Sequence, residues 1–124
     1  MMNKRLPLAL FSALVAAPLA HAADPVKLTK EETQQTLSGK SLTYKGREGA
    51  ILTYFSADGN VTHRTFTSSR TSTGTWTVED DGRYCIKIIK GTAPDGCRYL
   101  MRTDTGSGIS ESGRSAGLAI DKIE

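Results

Sequence analysis

The sequence predicts an all-β protein with one short N-terminal helix, built as a curved antiparallel sheet or partly closed small barrel of about six to eight strands. Three observations carry that expectation. From Ser41 to Ile120, short segments of strand-like alternation follow one another with turn signals between them. Two cysteines, Cys85 and Cys97, lie on consecutive segments of this kind, where hairpin pairing would bring them nearly opposite one another. The chain has 124 residues, and its first residues read as a leader, so what remains has room for a single thin core.

The leader is the stretch 1–22. Lys4 and Arg5 precede an apolar run from Leu6 to Leu19, and Ala20-His21-Ala22 fits the small-x-small pattern of a signal-peptidase site. The run is too short for a membrane span, and no cysteine at the cleavage point suggests a lipid anchor. Residues 23–124 are then expected to form a single β domain that works in the periplasm or is secreted. The formal net charge of +3 falls to about +1 once Lys4 and Arg5 leave. A nearly neutral domain offers no electrostatic case for nucleic acid or an anionic membrane as partner. With only two cysteines in the chain, one intramolecular bridge is possible, and an oxidising compartment favours it.

Along the domain, Asp24 to Leu28 reads as a loose lead-in. Thr29-Lys30-Glu31-Glu32 is a capping box that opens a short helix, and Gly39 suits the position just past its end. Leu37, helped by Leu28, is its apolar anchor, so the helix is expected to plug an end of the sheet. Ser41 to Lys45 is the first strand. Ala50 to Phe55 is apolar on both faces and reads as a central strand. Ala57-Asp58-Gly59-Asn60 reverses the chain, because Asp-Gly supplies the positive φ of a tight hairpin. Val61 to Thr67 returns, and Ser68 to Ser72 is a polar connection. In Thr73 to Val78 the residues Gly74, Trp76 and Val78 point inward and the threonines outward. Trp76 is expected to be the main core block, with Gly74 making room for the indole; a ligand-stacking role is the alternative.

Asp80-Asp81-Gly82 makes the next turn. Tyr84, Ile86 and Ile88 then share one face of a strand, and Cys85, Lys87 and Ile89 the other. After a loop at 91–96, Cys97 to Arg102 runs back, with Arg98 and Arg102 on the face of Leu100 and with Tyr99 and Met101 on that of Cys97. Arg98 and Arg102, joined by Lys87 if the faces coincide, form the expected contact patch. The segment Thr103 to Ser115 is rich in Gly and Ser, has Ile109 as its only large apolar residue, and is expected to be mobile. Ala116, Leu118 and Ile120 form a closing strand.

Several motifs match in letters but not in context. Gly113-Arg114-Ser115-Ala116-Gly117 fits the nucleophile elbow, but no histidine follows Ser115 and the domain is too small for the parallel sheet that elbow needs. Asp104-Thr105-Gly106-Ser107 is similar to the catalytic loop of aspartic proteases, which would require two copies of Asp104 paired across a dimer axis. The flanking residues Arg102-Thr103 and 108–114 are polar where that family is apolar. His63, the only histidine after cleavage, reads as a partly exposed structural residue, since a metal site needs several converging ligands. No metal or other cofactor is expected. The T-x-T repeats are broken by turns and read as an ordinary solvated face.

The chain resembles a class of small secreted proteobacterial β-rich proteins of unknown function. The resemblance rests on Leu37-Ser38-Gly39-Lys40, Tyr54-Phe55-Ser56-Ala57-Asp58-Gly59, Gly74-Thr75-Trp76-Thr77-Val78, Asp81-Gly82-Arg83-Tyr84-Cys85 and the second cysteine at Cys97. It runs from about Leu37 to Arg102 and implies a β-rich, exported domain, with no catalytic residues to transfer. Ser110-Glu111-Ser112-Gly113-Arg114 is also similar to the serine-glycine-arginine loop of periplasmic lysozyme inhibitors, without the tryptophan-containing context that surrounds it there. The functional expectation is a non-enzymatic exported module that binds a protein of the envelope or secretome or a small ligand, as an inhibitor or envelope-stress accessory. An aspartic-type hydrolase acting as a homodimer through Asp104 is the enzymatic alternative, and a structural envelope protein the third.

Overall fold

The computed structural model describes residues 24–47 and 49–124; the leader expected at 1–22 lies outside them. Nine strands and one helix follow one another as β1 (Val26–Lys27), α1 (Lys30–Leu37), β2 (Lys40–Gly46), β3 (Gly49–Phe55), β4 (Asn60–Thr65), β5 (Arg70–Val78), β6 (Tyr84–Lys90), β7 (Gly96–Thr103), β8 (Gly106–Ser110) and β9 (Leu118–Ile123). Each strand from β2 to β9 pairs antiparallel with the next, and β9 pairs back onto β2 through Leu42↔Ile123 and Tyr44↔Ile120. The result is a closed up-and-down barrel of eight strands. Closure is complete rather than partial.

The hairpins arise where the sequence reads them. Gly59 takes φ +96° and Gly82 φ +95°, which side chains with a Cβ rarely adopt. In α1 the Thr29 hydroxyl accepts the Glu32 N–H at 3.2 Å, and Glu32 accepts the Thr29 N–H at 3.0 Å. Glu32 is held below the usual carboxylate range first by that backbone bond and then by Arg102. Leu37 and Thr33 are fully buried beneath the helix. The Thr33 hydroxyl donates to the Gly82 carbonyl at 2.9 Å, fastening α1 to the β5–β6 turn.

At this end the core is aromatic. Phe55 stacks edge-on against Trp76 at 5.2 Å and against Tyr84 at 5.5 Å. Trp76 Nε1 donates to the Ser56 carbonyl at 2.8 Å, so the indole is satisfied within the core. Gly74 has a different task from the one its sequence context suggests. A Cβ there would strike the Lys87 carbonyl and the backbone of Ile88, where a bulge in the β5–β6 register brings the strands together. The space is taken by β6 and not by the indole.

Two segments expected to be loose are ordered. In the lead-in, β1 pairs with β7, and the Leu28 N–H donates to the Leu100 carbonyl at 2.9 Å. β1 occupies the edge of β7 that β6 leaves vacant beyond Tyr84↔Arg98. Within 103–115, Gly106–Ser110 forms β8, paired with β7 over five register positions. Gly108, Ile109 and Ser110 are buried. A Cβ at Gly108 would meet Ala116, so glycine here serves close packing and not freedom. The following turn is tied by Gly113 N–H to Ser110 Oγ at 2.9 Å and Gly117 N–H to the Ile109 carbonyl at 2.7 Å.

Cys85 and Cys97 are direct register partners and form the disulfide, on the outer face of the barrel. Among the described residues, no helix is long and apolar enough to cross a membrane.

Candidate functional site

The two ends of the barrel differ. Helix α1 and the aromatic cluster close the one formed by the start of β2 and the ends of β3, β5 and β7. The opposite end, formed by the end of β2 and the starts of β3, β5 and β7, is a mouth with polar walls. Side chains alternate across each strand, so the register fixes which residues look inward. Leu42 and Tyr44 of β2 face Thr53 and Ile51 of β3, and these face His63 and Thr65 of β4. His63 and Thr65 in turn face Ser72 and Arg70 of β5.

A cavity of about 170 Å³ opens among Ile51, His63, Thr65, Arg70 and Ser72 from the barrel wall, with Arg47 from the β2–β3 turn and 92–94 from the β6–β7 loop. That loop is held over the mouth by buried Ser72, whose Oγ accepts the N–H groups of Thr92 at 3.1 Å and Ala93 at 3.0 Å. The His63 ring meets Thr53 Oγ1 at 3.2 Å. On the other side of the mouth, a hollow of about 330 Å³ is lined by Arg98, Ile109, Glu111 and Leu118.

Arg98 lines the second of these spaces, and its charge reaches His63 in the first. It is the register partner of Tyr84, a core residue, and therefore projects into the barrel. Its side chain is only 25% exposed, and its one acidic contact among the described residues is Glu111, 3.9 Å from Nε and itself 82% exposed. The charge is felt across the interior. Burial lowers the His63 pKa from its ordinary 6.5, and the Arg98 charge lowers it further. Burial raises the phenols of Tyr44 and Tyr84, and Arg98 pulls both part of the way back. At neutral pH the barrel interior therefore holds a cationic guanidinium and a neutral imidazole toward the mouth, with the neutral phenols of Tyr44 and Tyr84 deeper in the core.

The patch expected from Arg98, Arg102 and Lys87 does not assemble. Arg98 and Arg102 do share the face of Leu100, but that face is the barrel interior. Arg102 lies at the helix end, where it binds Glu32 at 2.8 Å. Lys87 shares the outer face with Cys85, since Thr75↔Lys87 and Thr77↔Cys85 are neighbouring pairs. Trp76 is core at the closed end and lines no part of the mouth. Asp104 sits in the exposed turn between Thr103 and Gly106, at the end opposite the cavities. The segment 113–117 is part of the β8–β9 connection and not a strand-to-helix elbow. Gly113 lies against the Tyr99 ring on the outer face. Among the described residues, no three His, Cys, Asp or Glu side chains come together as a metal site.

Sequence reasoning missed Arg47, Arg70, Tyr44 and Tyr84, and read His63 as structural. One signal for Arg98 was available. Pairing Cys85 with Cys97 forces Tyr84 opposite Arg98, and Tyr84 already belonged to the apolar face with Ile86. The contacts of Arg47, Arg70 and His63 depend on the way distant hairpins meet at the rim, which strand periodicity does not encode.

No curated protein and no solved structure matches the chain. A family model does match, over residues 6–99, a span that takes in β1 to β6 and β7 as far as Tyr99. The chain belongs to the DUF995 family of proteins of unknown function.

Proposed function

We propose that the protein is a non-enzymatic binding module, exported to the periplasm or beyond, that takes a small ligand into the open mouth of its barrel. One observation carries the reading: the barrel is sealed at one end by α1 and the Phe55–Trp76–Tyr84 cluster, while the other keeps a cavity lined by His63, Arg70 and Ser72. Barrels of eight strands have interiors just wide enough to be filled by side chains or to hold one small ligand, and binding sites commonly lie in their mouths. Export is supported by the leader pattern at 1–22 and by the Cys85–Cys97 bridge, which persists in oxidising compartments. The resemblance to small secreted proteobacterial proteins agrees with it.

The test is an amide-resolved NMR titration of the mature domain with small-molecule fractions of envelope extract. Saturable shifts in 46–51, 63–72 and 91–98 are expected, with the helix end unmoved. Shifts confined to the helix end or the outer face, or none with any fraction, would remove the reading.

A further inference from the structure

We propose that the group recognised in the barrel mouth is an oxyanion, a carboxylate or phosphate on a small ligand, gripped by Arg98 and drawn in by Arg70 and Arg47. The inference rests on the mouth being the binding site and adds the chemistry of what enters it.

The charge pattern carries the argument. Three guanidinium groups belong to one end of the barrel: Arg47 and Arg70 line the smaller cavity of about 170 Å³ and Arg98 the hollow of about 330 Å³ across the mouth. Among the described residues, the only carboxylate within ion-pairing distance of any of them is that of Glu111, 3.9 Å from Arg98 Nε. The remaining acid on the neighbouring loop, Asp95, turns away, its Oδ1 accepting the Ile88 N–H at 2.7 Å. A charge as sheltered as that of Arg98 is costly unless a counter-charge is close and hydrogen bonds satisfy its protons. Arg102 makes the contrast: more exposed, it has a carboxylate at 2.8 Å. The Tyr84 hydroxyl takes one hydrogen bond from the Arg98 side chain; the guanidinium carries more N–H donors than Tyr84 and Glu111 occupy, and its planar fork matches carboxylate or phosphate oxygens in paired fashion. The groups around it suit the same guest. Tyr44 and Tyr84 keep their hydroxyl protons to high pH, and His63, faced by Arg98 from β7, by Thr53 from β3 and by Ser72 from β5, takes up a proton more readily when an anion offsets the Arg98 charge.

Sulfate, a stand-in for phosphate that keeps its charge across the working range, and citrate, a carboxylate, are titrated separately into the labelled mature domain. Amide shifts and the His63 ring protons are followed. Saturable shifts at Gly96–Leu100 with at least one anion are expected, together with an upward move of the His63 titration. Arg98→Gln should weaken that binding about tenfold or more, as loss of a sheltered charge-assisted pair does, while Arg102→Gln leaves it unchanged. If Arg98→Gln does not fold, Arg70→Gln replaces it, with a weaker loss expected. A response to sulfate alone assigns the phosphate class and to citrate alone the carboxylate class. No saturable response to either, or an Arg98→Gln protein that binds as the parent does, overturns the proposal. If extract fractions still shift the mouth while both anions are inert, the mouth remains a binding site and only the oxyanion chemistry is lost.

Discussion

Removing the Cys85–Cys97 bridge tests how the barrel is held closed. The seam it crosses is thin: β6 and β7 share three register partners, Tyr84↔Arg98, Cys85↔Cys97 and Ile86↔Gly96. Beyond Ile86 the strands part, and the Ile88 N–H bonds to the Asp95 side chain instead of to β7. The bridge therefore replaces ladder bonds that the β6–β7 loop, folded over the mouth, prevents from forming. The cysteines are 12 apart in sequence, so the chain-entropy estimate gives about 3 kcal/mol of stabilisation. That is a substantial part of the roughly 5–15 kcal/mol by which domains of this kind are stable. The Cys85→Ala/Cys97→Ala protein should therefore unfold at a clearly lower urea midpoint, and in heating its Tm should fall by roughly 12–24 °C. Because the other seams stay paired, amide exchange should quicken first at Tyr84–Ile86 and in 96–98, ahead of β3 and β4. A loss below about 1 kcal/mol at unchanged m-value, against the entropy estimate, would refute the reasoning. It would mean that the seam is held by packing across the interior and that the bridge only decorates it.

Three further outcomes follow from single contacts. Thr33→Val keeps the shape of the buried side chain but strips the Gly82 carbonyl of its donor; a loss of about 1–3 kcal/mol is expected in urea unfolding, and a neutral result would show that water reaches that carbonyl. Gly74→Ala drives a methyl into the Lys87 carbonyl and to within 2.8 Å of Ile88 Cα; backbone must move, at a cost of about 1–3 kcal/mol or more, and an unchanged melting curve would show that the bulge is soft. His63 should make stability fall with acid. Its folded pKa lies below 6.5, from burial first and Arg98 second, so below 6.5 the unfolded chain binds more protons and unfolding is favoured; above it this contribution is fully present. Comparing urea midpoints at about pH 7.5 and 5.5, His63→Gln should lose part of the dependence seen in the parent. Glu32, Asp58 and Asp81, held below their ordinary range, act in a more acid window; an identical dependence in both proteins would place His63 in water.

Local chemistry was legible in the chain itself. The capping box at Thr29–Glu32, the positive-φ turns at Gly59 and Gly82, the alternation of Gly74, Trp76 and Val78 and the facing of Cys85 and Cys97 all depend on residues within a hairpin or a helical turn of one another, where backbone preference and side-chain periodicity act directly. Legible too were the all-β class and a closing strand, read from Ala116, Leu118 and Ile120; the strand that forms is Leu118–Ile123. Tertiary structure decided what those faces look at. Strand periodicity separates two faces but does not say which is inside once a sheet closes, and so Arg98 and Arg102, read as one contact patch, share the interior face at opposite ends of a barrel. Likewise the Gly- and Ser-rich stretch from Thr103 carries little apolar burial of its own. It is ordered as β8 because closing the ring supplies β7 and β9 as hydrogen-bonding partners and lets Gly108 pack against Ala116. The mouth, with Arg47, His63, Arg70 and Arg98 drawn from the β2–β3 turn, β4, β5 and β7 respectively, exists only because the strands meet in a circle, and no pattern along the chain encodes a neighbour that arrives from the other side of it.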